Sequence, residues 1–197
     1  PSPKKSAAKK TPAKKTPAKK TAAKTAAPKK SAPKKAAAKQ AATKKTAPRQ
    51  RTAVTTAPRR TYDLTLFGAT GFTGQLVAKY LAGHAPADLR IALAGRDRGR
   101  VEQVAAGIGG RAHEFGIVTA NSRDDGSLAT MAADTTALIT TVGPYAQYGL
   151  PVVSACAAAG THYCDLTGEV LFMRDSIDRY DEVARASGAR IVHSCGF

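Results

Sequence analysis

The feature that most constrains this chain is a glycine-spaced loop between a strand pattern and a helix pattern. Residues 62–67 read as a short strand, and Gly68, Gly71 and Gly74 follow at intervals of three before an apolar helical run. In this context the first glycine permits a tight turn, the second lets the backbone approach a pyrophosphate, and the third lets the helix pack close to the strand. The loop therefore predicts a parallel α/β fold with a dinucleotide at the helix N-terminus.

The same alternation continues along the chain. Six strand patterns alternate with five helix patterns, which implies parallel pairing through right-handed crossovers. This count predicts an α/β, doubly wound, mostly parallel six-stranded Rossmann sheet with strand order 3-2-1-4-5-6. We expect the last helix to turn Ile177, Tyr180 and Ala184 inward. The predicted strands cover residues 62–67, 91–94, 111–118, 137–142, 162–166 and 190–194. The first predicted helix follows Gly74, and the other four cover residues 98–106, 127–133, 151–159 and 169–187.

Composition changes abruptly at Arg60. Residues 1–60 hold 16 Lys and 4 Arg with no acidic side chain, whereas residues 61–197 hold 11 basic and all 14 acidic residues. In the first segment Val54 is the single apolar side chain larger than Ala. Burial there does not offset an ordering cost of ~1–2 kcal/mol per residue. We therefore predict a disordered Lys/Ala/Pro-rich basic tail over residues 1–60 and one domain over residues 61–197.

The basic tail predicts a polyanionic partner. Its lysines recur about every five residues, so they spiral around the chain instead of forming one helical face. With SPKK at 2–5 and TPAKK at 11–15 and 16–20, it resembles the Lys/Ala/Pro tails of linker histones and of mycobacterial histone-like nucleoid proteins. Without aromatic side chains for base stacking, we expect binding to nucleic acid or another polyanion without sequence preference. A solubilising or anionic-surface-binding extension with no dedicated target remains the alternative.

The remaining composition narrows location and partners. No run of about 18 apolar residues occurs, so we expect no transmembrane segment and a cytoplasmic location, with nucleoid association through the tail. The three cysteines show no metal-ligand spacing, which predicts reduced, buried thiols and no metal. We expect an exposed edge at the sixth strand and an uncovered face of the domain, which indicate an oligomer, another partner or instability.

The end of the second strand predicts which dinucleotide binds. An NAD site usually has an acidic residue there, but Gly95 takes this position and Arg96 follows it. An Arg side chain can pair with a 2′-phosphate, so we predict NADP(H). Asp97, one residue beyond, leaves a ribose contact open. The predicted cofactor-binding residues are Gly68, Thr70, Gly71, Phe72, Thr73, Gly74, Arg96, Gly143 and Pro144.

Residues beyond the fourth and fifth strands are candidates for a substrate site, and the sequence leaves their roles open. Tyr145 or Tyr148 can donate to a substrate oxygen, although packing is the simpler role. Asp165 and Glu169 fit site carboxylates or helix caps equally well. The chain lacks the Tyr-x-x-x-Lys pair of short-chain dehydrogenases after the fourth strand. The catalytic residues therefore stay unknown.

Four segments in order carry a resemblance to a known family. They are YDLTLFGATGFTG at 62–74, LAGR at 93–96, VGPY at 142–145 and HYCDLTGE at 162–169. With them, residues 62–197 resemble the saccharopine dehydrogenase-like oxidoreductases, and among these the actinobacterial trans-acting enoyl reductases of lipid biosynthesis. The resemblance implies NADP(H)-dependent reduction of a small-molecule or acyl-chain substrate.

Two departures from the family pattern matter. Members continue past the position of Phe197 into a second, substrate-binding domain, and they lack the lysine-rich tail. If the chain ends at Phe197, we expect it to bind NADP(H) but to turn over poorly. The alternative hypothesis is a non-enzymatic dinucleotide-sensing module tethered to DNA by the basic tail.

Overall fold

The computed structural model describes residues 60–196, which form a six-stranded parallel sheet with flanking helices. The predicted tail, apart from Arg60, lies outside the described residues. The strands are β1 Tyr62–Phe67, β2 Ile91–Gly95, β3 Gly116–Thr119, β4 Thr135–Thr140, β5 His162–Asp165 and β6 Ile191–Val192. The helices are α1 Phe72–His84, α2 Arg98–Ile108, α3 Asp125–Ala133, α4 Tyr145–Ala159 and α5 Val170–Ser187. The order β3-β2-β1-β4-β5-β6 confirms the predicted topology.

Two apolar clusters form the core of this domain. One joins Leu66 and Leu93 of the sheet to Val101 of α2, and all three side chains are fully buried. The other joins Leu138 of β4 to Val152 of α4 and to side chains of α3 and α5. All five residues of β2 are buried, as expected for an inner strand of a parallel sheet with both faces covered.

The fourth strand and the following helix differ from their predicted bounds. The strand occupies Thr135–Thr140 instead of residues 137–142, and α4 begins at Tyr145 instead of Pro151. Pro151 lies inside the helix, although proline usually favours a helix start. Because of these bounds, residues 141–144 form a loop between β4 and α4.

Two other predicted elements also change. The third strand is confined to Gly116–Thr119, and a short 3-10 helix over Gly110–Glu114 precedes it. Ile177, predicted to face inward, is 53% exposed. Phe172 and Ser176 are buried in its place, because the Phe172 ring packs against Gly149 of α4 and sets the rotation of α5.

Arg60 anchors the start of the described chain at the amino edge of the sheet. Its guanidinium donates to the carbonyl oxygen of Ala132 at 3.1 Å and also to the Thr135 carbonyl and the Thr161 hydroxyl. A further bond reaches the Ala159 carbonyl. Arg60 therefore belongs physically with the domain that follows it, while the extent of the tail stays a prediction.

Within residues 60–196 the longest and most apolar helices still fall short of what a membrane crossing requires.

Candidate functional site

The carboxyl ends of β1, β2 and β4 open into a cleft of about 580 Å³. It lies where the chain path reverses direction across the sheet, which is the usual ligand position in open α/β folds. Six of the predicted cofactor-binding residues line it, namely Gly68, Thr70, Gly71, Arg96, Gly143 and Pro144. Phe72 and Thr73 are exposed at the start of α1 beside the cleft, and Gly74 is buried beneath it.

The three loop glycines lack side chains for three different reasons. Gly68 has φ +94°, and a Cβ there would lie 2.7 Å from Thr141 Oγ1. A Cβ on Gly74 would lie 2.1 Å from the Gly68 carbonyl oxygen, so the helix can approach the loop closely because this Cβ is absent. At Gly71 the nearest atom would be 3.4 Å away, which is an ordinary contact. The packing of the fold therefore does not require a glycine at position 71, and its missing side chain leaves open space at the cleft.

The first turn of α1 presents an uncapped N-terminus to the cleft. Gly71 provides no side-chain cap, and no acidic residue lies in the first turn. The first amides of a helix have no intrahelical partners and carry a partial positive charge. The loop before them is held by a hydrogen bond from Gln75 Nε2 to the Thr70 carbonyl oxygen at 3.1 Å. The arrangement can bind a phosphate group.

The end of β2 favours Arg96 over an acid. Gly95 is buried, and a Cβ there would lie 2.9 Å from Val101 Cγ2, so any larger residue, an acid included, would require Val101 to shift. Arg96 is exposed on the cleft and makes no ion pair with any acid among residues 60–196. Asp97 instead caps α2, since its Oδ1 accepts from the Arg100 amide at 3.1 Å. The structure thus favours the cap over the ribose contact for Asp97.

The loop between β3 and α3 supplies cleft residues that the sequence did not identify. Asn121, Ser122 and Arg123 line the cleft from this side. Arg123 Nη2 donates to the Tyr148 hydroxyl at 3.1 Å, and its guanidinium carbon lies 5.3 Å from the centre of the Tyr148 ring. The polar run directly after the third strand was the signal that could have identified them.

The two tyrosines of α4 have different roles. Tyr145 is buried, its hydroxyl donates to the Thr140 carbonyl oxygen at 3.0 Å, and its ring lies 5.6 Å from that of Phe172. Burial raises the pKa of Tyr145 to about 12. Tyr145 is therefore a packing residue, whereas Tyr148 lines the cleft.

Glu169 is a helix cap, but for a helix other than its own. Its carboxylate accepts from the amides of Tyr145 at 2.7 Å and Ala146 at 2.8 Å. These are the first two residues of α4. The contact closes the positive end of α4 beside Pro144 and joins the loops after β4 and β5.

Asp165 is a buried structural carboxylate that lies outside the cleft lining. Its Oδ2 accepts from the Tyr163 hydroxyl at 2.8 Å and pairs with His193 Nδ1 at 2.7 Å. Its Oδ1 accepts from the amides of Thr167 at 3.1 Å and Ser194 at 3.0 Å. Burial acts to raise the pKa of Asp165, but the bonds from His193, Ser194, Thr167 and Tyr163 outweigh it and hold the pKa below its ordinary value. The carboxylate ties the ends of β5 and β6 together.

The cysteines are free, but the prediction that all three are buried is wrong. Cys156 is buried in the core, Cys164 is half-buried and Cys195 is exposed. Residues 60–196 bring together no group of three or more metal-binding side chains.

Comparison with known protein families agrees with this geometry. The model of the saccharopine dehydrogenase NADP-binding domain matches residues 64–192. The chain belongs to this family. Membership confirms the resemblance seen in the sequence, and it supports NADP(H) as the cofactor.

Several curated relatives are mycobacterial. A Mycobacterium tuberculosis protein is 55% identical over 142 residues, which cover 72% of this chain and 34% of the relative. The trans-acting enoyl reductase of Mycobacterium leprae is 47% identical over 139 residues, covering 71% of this chain and 33% of that protein. The chain thus spans about a third of the length of the relatives it matches.

Solved structures show the same fold. Apo saccharopine dehydrogenase (L-Glu forming) from Saccharomyces cerevisiae matches with a TM-score of 0.54 and 19% identity, covering 68% of this chain and 27% of that one. Triphenylmethane reductase from Citrobacter, complexed with NADP(H), matches with a TM-score of 0.51 and 18% identity, covering 66% and 48%.

Proposed function

We propose that the domain after the tail is the NADP(H)-binding part of an oxidoreductase of the trans-acting enoyl reductase type. The observation that carries the proposal is the cleft, where open space at Gly71, the uncapped start of α1 and Arg96 converge, and Arg96 pairs with no acid among residues 60–196. These features suit a dinucleotide with an additional phosphate.

Each part of the cleft has a distinct binding task in this proposal. The amides that begin α1 hold the pyrophosphate, and Gly71 lets it approach the backbone. Arg96 pairs with the 2′-phosphate, because its planar guanidinium offers two parallel donors to such a group. Gly143 and Pro144 line the side that would hold the nicotinamide ribose. When bound, NADPH supplies a hydride for reduction.

The substrate proposal rests on the relatives. Because proteins of 47% to 49% identity are named trans-acting enoyl reductases, we propose that the whole protein reduces a carbon–carbon double bond in an acyl chain during lipid biosynthesis. The chain spans about a third of those relatives, so we place acyl-chain recognition in the part that lies beyond it. The residues described here would orient the cofactor.

Arg96→Ala tests the cofactor assignment by titration with NADPH and with NADH. Loss of charge-assisted hydrogen bonds worth about 1.5–3 kcal/mol should weaken NADPH binding about 10- to 100-fold. Binding of NADH, which lacks the 2′-phosphate, should change little. Arg98→Ala is the matched control, because Arg98 is a nearby exposed arginine that pairs with Glu102 and lies outside the cleft. Equal losses for both nucleotides would contradict the role of Arg96.

We propose separately that residues 1–60 bind nucleic acid without sequence preference and hold the protein at the nucleoid. Their 20 basic side chains, unaccompanied by acids, support this. A variant that begins at Arg60 keeps the anchoring contacts of Arg60 and is the appropriate comparison. The DNA affinity of the full chain should fall with rising salt, and the logarithm of the binding constant should change with the logarithm of the salt concentration by about −0.9 per phosphate contact. The shortened chain should lose its affinity for DNA. Retention that is independent of salt would contradict the proposal.

A further inference from the structure

Two cysteines from distant parts of the sequence meet at the edge of the sheet. Cys164 lies in β5 and pairs in register with Val192 of β6. After β6 the chain turns back, and the Cys195 amide donates to the carbonyl oxygen of Asp165 at 2.6 Å. Cys195 therefore lies beside the residue that directly follows Cys164.

Their side chains are close neighbours, and Cys195 acts to raise the pKa of Cys164. Cys195 Sγ donates to the carbonyl oxygen of Val192, the register partner of Cys164, at 3.7 Å. Cys195 is exposed, so a small reagent can reach it. Neither cysteine lines the cleft, and the cofactor assignment uses neither. Cys156, in contrast, is 1% exposed in the core.

We propose that Cys164 and Cys195 form a reversible disulfide in response to the thiol–disulfide balance around the protein. The Cys195 thiolate attacks a low-molecular-weight disulfide and expels one small thiolate, which leaves a mixed disulfide on Cys195. The Cys164 thiolate then attacks Cys195 Sγ and expels the second small thiolate. The protein loses two protons and two electrons, and the small disulfide is reduced to two thiols.

The surroundings of Cys164 decide which step is slow. Burial and the neighbouring Cys195 raise the pKa of Cys164 to about 11. Little of Cys164 is therefore thiolate at neutral pH, and the closing step should accelerate as pH rises. The bond would join β5 to the segment that follows β6. This last strand has only two residues.

The test uses the full reduced chain and oxidised glutathione as the small disulfide. We expect the thiols that react under denaturing conditions to fall from three to one, and the intact mass to fall by two hydrogens. Peptide mapping should link Cys164 to Cys195, and a reductant should restore all three thiols. The Cys156→Ala control should still form the bond, whereas Cys195→Ser should not.

Three outcomes would overturn the proposal. The first is a chain that keeps all three thiols after prolonged exposure at pH 8 to 9. The second is a lasting glutathione adduct on Cys195 with Cys164 still free. The third is a dimer of two chains linked through Cys195, which would show that the exposed thiol reacts outward.

Discussion

The glycine loop separates packing from binding, and Gly74→Ala tests the packing. The added Cβ would lie 2.1 Å from the Gly68 carbonyl oxygen, 2.8 Å from Gly68 C and 2.9 Å from Ala69 Cα. All three neighbours are backbone atoms, so no side-chain rotation relieves the contact and α1 must move away from β1. Overpacking of this kind costs about 1–3 kcal/mol and sometimes more. We expect Gly74→Ala to lower the free energy of unfolding by about 3 kcal/mol.

Gly71→Ala should have the opposite pattern. Gly71 has φ −77° and ψ 165°, which alanine adopts readily, and its Cβ would make one ordinary contact at 3.4 Å. The free energy of unfolding should therefore stay within about 0.5 kcal/mol of the original chain. The methyl group would occupy the space assigned to the pyrophosphate, so NADPH affinity should fall at least about tenfold, equivalent to 1.4 kcal/mol.

Gly83→Ala is the matched control, because Gly83 lies in the same helix and a Cβ there meets nothing within 4 Å. It should raise stability by about 0.5–1 kcal/mol through helix propensity and leave binding unchanged. Urea unfolding measures stability, and nicotinamide fluorescence measures affinity. If Gly74→Ala were as stable as Gly83→Ala, the close approach of α1 would be wrong. If Gly71→Ala bound NADPH normally, the pyrophosphate would lie elsewhere.

Three further predictions follow from other contacts. The pKa of Asp165 is lowered in the fold, so its carboxylate stabilises the protein above the unfolded pKa of about 4, and this stabilisation is lost as pH falls through the folded pKa. Asp165→Asn should therefore make the free energy of unfolding, measured with urea, depend less on pH in the acidic range. It should also lower this free energy by about 3 kcal/mol at pH 7. Arg123→Ala should weaken the binding of NADPH and of NADH by a similar factor of a few-fold, measured by titration. An unchanged affinity would mean that Arg123 interacts with Tyr148 and not with the cofactor. Closing the Cys164–Cys195 disulfide should raise urea-measured stability by about 3–4 kcal/mol in the chain-entropy account.

Features specified by neighbouring residues could be predicted from the sequence. The bounds of β1 agree with the strand pattern at residues 62–67, because the glycine loop fixes where that strand ends. The tight turn at Gly68 and the close packing at Gly74 follow from their spacing. The absence of an acid at Gly95 was visible in the same way, and the structure adds that a side chain there would displace Val101.

Features that depend on contacts between distant residues could not be predicted. Glu169 reaches 24 positions back to cap α4, and this cap lets the helix begin at Tyr145, well before the proline that marked its predicted start. Ile177 has the hydrophobicity of a core residue, yet the packing of Phe172 on Gly149 turns it outward. The meeting of Cys164 and Cys195 likewise arises from the turn after β6.

The capping of the helices around the cleft indicates where an anion would bind. Asp97 caps α2, Asp124 caps α3 and Glu169 caps α4, so a carboxylate already offsets the positive end of each. Among the helices that follow β1 to β4 in the described chain, α1 alone has no carboxylate bonded to the amides of its first turn. Bound phosphate would therefore be stabilised at Gly71, and the capped end of α4 beside Pro144 would suit an uncharged part of the ligand. With the cofactor assignment proposed above, the pyrophosphate would lie at the start of α1 and the nicotinamide end beside α4.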